Sequence, residues 1–187
     1  DKLKINVWEM IKLANRHPRV NILQPGPGVG GHCIAVDPWF IVNSAPDEAR
    51  LIYTARLVND SKPHFVLEKI NQAATATGKK KSELKIACLG LAFKPNVNDL
   101  RESPALEIAQ QVSLMGFAKL YLVEPNIDKT PTEFDSQNTE LVDLKIALTD
   151  ADVVVLLVDH SSFKDLNLGL LSGKQVVDTR GIWASCA

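Results

Sequence analysis

The stretch PGPGVGGHCIAVDP, residues 25 to 38, sets one cysteine among four glycines and three prolines. Cys33 is the side chain there best suited to covalent chemistry, because a thiolate attacks carbonyl carbon readily and can leave again. Gly28, Gly30 and Gly31 bear no side chains, so a ligand can come close to the backbone beside the sulfur. Asp37 follows four residues on, within reach of a water near that sulfur. A reactive thiol needs a polar, partly exposed, electropositive setting, which His32 and free loop amides could supply.

Other uses of the loop stand beside that one. A cysteine hydrolase built on Cys33 and His32 needs two adjacent side chains to converge, and adjacent side chains commonly diverge. A metal site calls for a C-x-x-C or paired-histidine spacing, and neither occurs near Cys33, so no metal is expected. A passive thiol in a structural loop is the plainest alternative. Cys88, inside IACLGL, reads as a small core residue, and Cys186 lies in the C-terminal tail. Three widely spaced cysteines do not make a disulfide framework and fit a reducing compartment. His64 and His160 read as structural or surface positions, with a ligand role open for His160 because it follows a strand end.

The elements that must carry these residues fall into two kinds. Residues 3 to 15 place Leu3, Val7, Met10, Ile11 and Ala14 at helical spacing, ended by Pro18. A second helical pattern begins at Pro46, is split or kinked at Pro63, and stops at Gly78. KKKSE is a solvated connector. Beyond it come four short apolar runs: LKIACLGL, KLYLVEP, DVVVLLVD and KQVVDTR. Between them lie SPALEIAQQVSLMG, with Ser103 as N-cap and Pro104 at the first helical position, and TELVDLKIALTDA, read as one further helix. Apolar strands alternating with amphipathic helices predict βαβ units and a parallel sheet covered on both faces. The expected fold is α/β: a Rossmann-like parallel-sheet domain over 84–187, preceded by an α-helical segment over 1–80 that carries the cysteine loop.

In such sheets ligands sit beyond the carboxyl ends of the strands. Those ends place Lys94, Arg101 and Arg180 where an anionic ligand would be met. The competing assignment pairs Arg101 and Arg180 with Glu102, Asp99 or Asp178. The turn after the first strand reads GLAFKP and lacks G-x-G-x-x-G, so this domain is not expected to hold NAD in the usual manner.

Composition narrows the partners. The 187 residues are 45% hydrophobic and 23% charged, with a formal net charge of −1, which offers no bulk attraction to nucleic acid or to a membrane surface. No apolar run approaches the roughly 18 residues of a membrane span. No signal peptide is visible, and a cytoplasmic location is expected. The chain opens without Met on a helical pattern already under way, so it reads as part of something longer.

Three motifs in order, RHPRVNILQPGPGVGGHCIAVDPWF, GLAFKPNVNDLRESPA and VVDTRGIW, resemble the UDP-glucose/GDP-mannose dehydrogenase family, across essentially all 187 residues but only its C-terminal part. The resemblance implies oxidation of a nucleotide-sugar C6 alcohol to a carboxylate with two NAD⁺, through a thiohemiacetal and a thioester on Cys33. By position, Asp37 corresponds to the residue that serves hydrolysis. His17, Arg19, Gly30, Phe93, Lys94 and Arg180 correspond to substrate contacts, and Arg101 to a residue that reaches NAD. Many relatives carry Lys before the aspartate, where this chain has Val36, which points to the N-acetylhexosamine branch; the likeness of the first motif is what implies UDP-N-acetyl-D-mannosamine as the substrate. The resemblance further implies a homodimer formed around the helical segment, a role in bacterial surface polysaccharide such as enterobacterial common antigen, and an NAD-binding domain upstream of residue 1. Alone, the chain is expected to be inactive; the alternatives are a UDP-sugar-binding module with Cys33 idle, or a dehydrogenase for another UDP-N-acetylhexosamine.

Overall fold

Asn6 sets where the first helix starts. In the computed structural model, which describes residues 1–134 and 137–183, its Oδ1 accepts from the backbone N–H groups of Trp8 (3.1 Å) and Glu9 (3.2 Å). That cap begins α1 at Val7 (Val7–Ala14), later than the apolar spacing from Leu3 suggests, and Leu3 stays exposed. Directly after the cysteine loop comes α2 (Asp37–Ser44), a helix that the sequence reading missed. Its signal is Pro38 in the first turn with Asp37 at the positive end of the helix dipole. The long pattern after Pro46 resolves into α3 (Arg50–Asp60) and α4 (Lys62–Ala76), divided where Pro63 occupies the first turn of α4. Residues 46–49 form a turn rather than the first turn of α3.

The sheet is built from β1 (Lys85–Leu89), then α5 (Pro104–Ser113), β2 (Lys119–Val123), β3 (Thr139–Leu141), α6 (Leu144–Asp150), β4 (Val153–Leu156), α7 (Ser161–Lys164) and β5 (Gln175–Asp178). All four strand pairings are parallel, in the order β3-β2-β1-β4-β5. The expected α/β class therefore stands, with one correction. Residues 139 to 151 are not a single helix: Thr139 and Leu141 pair with Leu120 and Leu122 of β2, and only Leu144–Asp150 is helical. A three-residue strand is too short to display a period of two, so its pairing is decided by the neighbouring strand.

Alternation along the central strands explains why they look wholly apolar. Ile86 and Cys88 join Val153 and Val155 against α4 and α5, packing with Val66, Ile70, Ile108 and Val112. Ala87 and Leu89 join Val154 and Leu156 on the opposite face, with Leu148, Phe163 and Trp183. Both faces are covered, as parallel sheets require. Burying a side chain such as Ile70, fully enclosed on α4, contributes about 1.5–3 kcal/mol. By contrast Phe40 and Ile41 on α2, and Leu51 and Val58 on α3, are exposed. Among the described residues, no helix is long and apolar enough to cross a membrane.

Candidate functional site

The strand order reverses at β1: β2 and β3 lie on one side of it, β4 and β5 on the other. Crevices at such switch points, beyond the carboxyl ends of the strands, are where open α/β sheets bind ligands. Here the crevice is framed by the segment after β1, from Gly90 to Ser103, and by Asp159 and His160 after β4.

The cysteine loop docks onto that frame through its glycines. A Cβ at Gly30 would overlap the backbone carbonyl of Glu102 and lie 2.7 Å from Cδ of Pro104. Gly31 has φ +90°, a conformation that favours glycine, and a Cβ there would come within 2.9 Å of the Phe93 ring. Asn59 of α3 holds the loop from below, its Oδ1 accepting from the N–H of Val29 at 3.0 Å. Past the thiol the chain turns at once into α2, with the Cys33 carbonyl accepting from Val36 (2.9 Å) and Asp37 (2.8 Å). Cys33 is exposed, and Asp37 is exposed in the first turn of α2. A cleft of about 490 Å³ runs between this loop, α3 and α5, lined by Val36, Trp39, Arg56, Asn59, Glu102 and Glu107 among others. A larger cavity, about 1160 Å³, lies between the N-terminal segment, α4 and the edge strand β5, and no sequence-selected site residue lines it.

Phe93 therefore links the two halves of the site, and Lys94 sits beside it with Nζ 5.3 Å from the ring centroid. Lys94 is exposed, and among the described residues it has no carboxylate partner. Arg101 is paired: Asp99 accepts from its Nε at 2.9 Å and from its Nη2 at 2.6 Å. Hydrogen bonds from the Arg101 side chain and backbone hold the Asp99 carboxyl down at about 2, with a smaller pull from His32. Arg101 is raised in turn, first by its bond to Asp99 and least by Cys33, which lies close enough to be felt electrostatically. Cys33, His32, Asp99 and Arg101 thus lie together at the mouth of the loop.

Arg180 reaches the same loop at its stem. Its Nε donates to Asp159 at 2.9 Å, while Nη1 packs on Gly26 so closely that a Cβ would overlap it. Asp178, one of the carboxylates in the competing assignment, serves the backbone instead, accepting from Arg180 N (2.8 Å) and Gly181 N (2.7 Å). His17 and Arg19 sit exposed in the turn after α1, where His17 Nδ1 accepts from the N–H of Arg19 at 3.2 Å. Among the described residues, no hydrogen bond or ion pair joins either of them to the cysteine loop.

Glu124 escaped the sequence reading, and His160 was named there without its partner. Glu124, at the end of β2, is buried, and its Oε2 accepts from Leu91 N (2.7 Å), Ala92 N (3.1 Å) and His160 Nε2 (3.0 Å). His160, open to a ligand role by sequence, is 1% exposed and packed edge-on against Phe163. The available signal was EP and DH directly after apolar strands, at ends where a buried charge must find partners. The same bonds bear on cofactors: the amides after β1 that would face a pyrophosphate in a dinucleotide fold are taken by Glu124. Those two amides are therefore not free to meet a pyrophosphate. No cluster of metal-ligating side chains occurs among the described residues.

Burial separates the cysteines. Cys88 is fully enclosed, and burial pushes its thiol up to about 12. Iodoacetamide at pH 8 is expected to label Cys33 within minutes and to leave Cys88 unmodified until urea unfolds the chain, as read by peptide mass mapping; labelling of native Cys88 would contradict the fold. Cys186 lies outside the described residues.

Comparison with known proteins agrees with this architecture. Residues 87–185 match the UDP-binding domain of the UDP-glucose/GDP-mannose dehydrogenase family, and residues 1–61 match its central domain. The chain is 58% identical to the UDP-N-acetyl-D-mannosamine dehydrogenase of Salmonella typhimurium, over 96% of this chain and 43% of that protein. It is 55% identical to the NDP-N-acetyl-D-galactosaminuronic acid dehydrogenase of Ralstonia nicotianae, over 99% of this chain and 42% of that one. The structure of UDP-D-ManNAc dehydrogenase from Pyrococcus horikoshii superposes with a TM-score of 0.82 at 32% identity, covering 97% of this chain and 42% of that one. The chain thus spans less than half the length of these relatives. With its UDP-binding domain matched over residues 87–185, its central domain over 1–61, and a fold that superposes on a solved relative, the chain belongs to the UDP-glucose/GDP-mannose dehydrogenase family.

Proposed function

We propose that the chain supplies the cysteine loop and the sugar-nucleotide site of a UDP-N-acetylhexosamine 6-dehydrogenase, with UDP-N-acetyl-D-mannosamine as substrate. Residues 1–80 act as the central segment that carries the loop, and residues 84–187 as the UDP-sugar-binding domain. One observation carries this reading: exposed Cys33 lies on a loop whose Gly30 and Gly31 are seated against Phe93, with Arg101 close enough to feel the thiol, at the switch point of a parallel sheet. Lys94, without a carboxylate partner among the described residues, meets the diphosphate or the sugar. Arg180, steadied by Asp159, closes the site from the loop stem. His17 and Arg19 belong to the substrate contacts, from the turn after α1.

In this enzyme class NAD supplies the hydride acceptor for both oxidations; in this chain Arg101 is the residue proposed to touch it. Cys33 adds to the C6 aldehyde, forming the C–S bond while the carbonyl oxygen takes up a proton. The resulting thiohemiacetal keeps the carbon beside the same groups until it is oxidised to a thioester. Water then adds as Asp37 accepts its proton, the C–S bond breaks, and the carboxylate leaves. Gly30 leaves room for the sugar carbon beside the sulfur. The exposed apolar side chains of α2 and α3 support a homodimer formed through the helical segment. The setting is bacterial surface-polysaccharide synthesis in the cytoplasm.

Calorimetry with UDP tests the binding half. The chain is expected to bind UDP, and Lys94→Ala to weaken it by about 10- to 100-fold, the range for losing a charged hydrogen bond. No UDP binding by the unmodified chain, or equal affinity in the variant, would sink the proposal.

A further inference from the structure

Phe93 and Lys94 lie on a short segment whose backbone is tied down at both ends by one buried pair. At its start, the N–H groups of Leu91 and Ala92 donate to Glu124 Oε2 at 2.7 and 3.1 Å. At its end, the N–H of Asn96 donates to His160 Nδ1 at 2.9 Å. His160 and Glu124 are joined to each other through Nε2 and Oε2 at 3.0 Å, with side chains 1% and 0% exposed. Asn126 also aims its Nδ2 at His160 Nδ1, 3.3 Å away, and donates from N and Nδ2 to Glu124 Oε1. With two donors facing Nδ1, that nitrogen must be the acceptor and Nε2 must carry the proton.

Asn96 itself has φ +60° and is held twice more, donating from Nδ2 to Ser161 Oγ and accepting from Ser161 N, both at 3.0 Å. The segment from 91 to 96 is therefore a staple, its legs anchored on the buried Glu124 and His160 side chains and its exposed tip bearing Lys94. The same tip presents Phe93 to Gly30 and Gly31 of the cysteine loop.

We propose that His160 is a positioning residue for nucleotide binding. Its neutral Nδ1 holds Asn96, and its Nε2–H locks Glu124 onto Leu91 and Ala92, so that Lys94 and Phe93 are pre-set for the sugar nucleotide. The proposal rests on the binding site described under Proposed function. Preorganisation of this kind lowers the cost of ordering a long, rotamer-rich lysine on binding.

The test is UDP calorimetry on the 187-residue chain with His160→Phe, alone and combined with Lys94→Ala, alongside backbone amide exchange without ligand. His160→Phe, similar in volume, is expected to weaken UDP binding tenfold or more and to speed exchange at residues 93–96 while β1 keeps its protection. In the Lys94→Ala background its effect should shrink at least threefold. A general structural loss would give the same factor on both backgrounds and would overturn the proposal, as would UDP binding within twofold of the unmodified chain. Failure of the unmodified chain to bind UDP would strike the proposed function itself, and is read separately. If His160→Phe does not fold, two polar variants decide. His160→Asn, whose Oδ1 can replace Nδ1 toward Asn96, should recover most of the affinity that His160→Gln loses; the reverse order overturns the proposal.

Discussion

Replacement of Glu124 by alanine is expected to lower the unfolding free energy by about 3 kcal/mol or more, because each buried donor left without its acceptor costs roughly 1–3 kcal/mol. The reason is the number of donors it leaves behind. Leu91 N, Ala92 N, His160 Nε2 and both nitrogens of Asn126 donate to this one carboxylate. Against a typical total of about 5–15 kcal/mol, such a loss is large. Urea unfolding checks it, and a loss below about 1 kcal/mol would mean that water replaces the carboxylate.

Glu124→Gln separates charge from hydrogen bonding. Burial pushes the Glu124 carboxyl up, but bonds from His160, Leu91 and Ala92 outweigh it, so the folded pKa lies below the usual glutamate value. A lowered folded pKa means that the ionised form contributes stability above the unfolded pKa of about 4.3, and that this contribution disappears as pH falls through the folded value. The stability difference between the native chain and Glu124→Gln should therefore be constant above about pH 5 and shrink on further acidification. A difference that grows as pH falls would reverse the assignment.

Gly30→Val is the second large effect. Its Cβ would overlap the carbonyl oxygen of Glu102, a backbone atom, with Pro104 Cδ at 2.7 Å and Phe93 Cβ at 3.1 Å. No flexible side chain can move aside to relieve the first clash, so the cysteine loop must lift from the segment after β1. Overpacking of this kind costs about 1–3 kcal/mol, or roughly 2–12 °C in melting temperature for a chain of this size. Amide exchange should rise in residues 26–36 and 100–104 while the central strands keep their protection. Unchanged protection of the loop would show that Gly30 is not the contact that seats it.

Much of the fold was legible because its signals are local. The four apolar runs, the Ser103-Pro104 helix start and the break at Pro63 are each stated by a few consecutive residues. What the local pattern misassigned were short elements: Thr139–Leu141, too brief for a period of two, and Asp37–Ser44, whose start carries a proline and an acid but no side-chain cap. The site divided in the same way. The residues whose types announce chemistry, Cys33, Asp37, Lys94, Arg101 and Arg180, were visible at once.

Their partners were not. Asp99 for Arg101 lies two residues away and was foreseeable as one of several carboxylates. Asp159 for Arg180 lies 21 residues away, and Glu124 for His160 lies 36. Hydrogen bonds across such gaps depend on which strands lie side by side, and β2, β1 and β4 become neighbours only in the folded sheet. By itself the sequence determined the α/β class, the glycine loop around Cys33 and the cations at the strand ends, because spacing and residue type suffice for those. Only the tertiary structure decided that Phe93 seats the loop, and that a buried Glu124–His160 pair staples the segment bearing Lys94. The physical reason is that a buried charge must be satisfied by whichever groups the strand order brings to it, and strand order is written in no short stretch of chain.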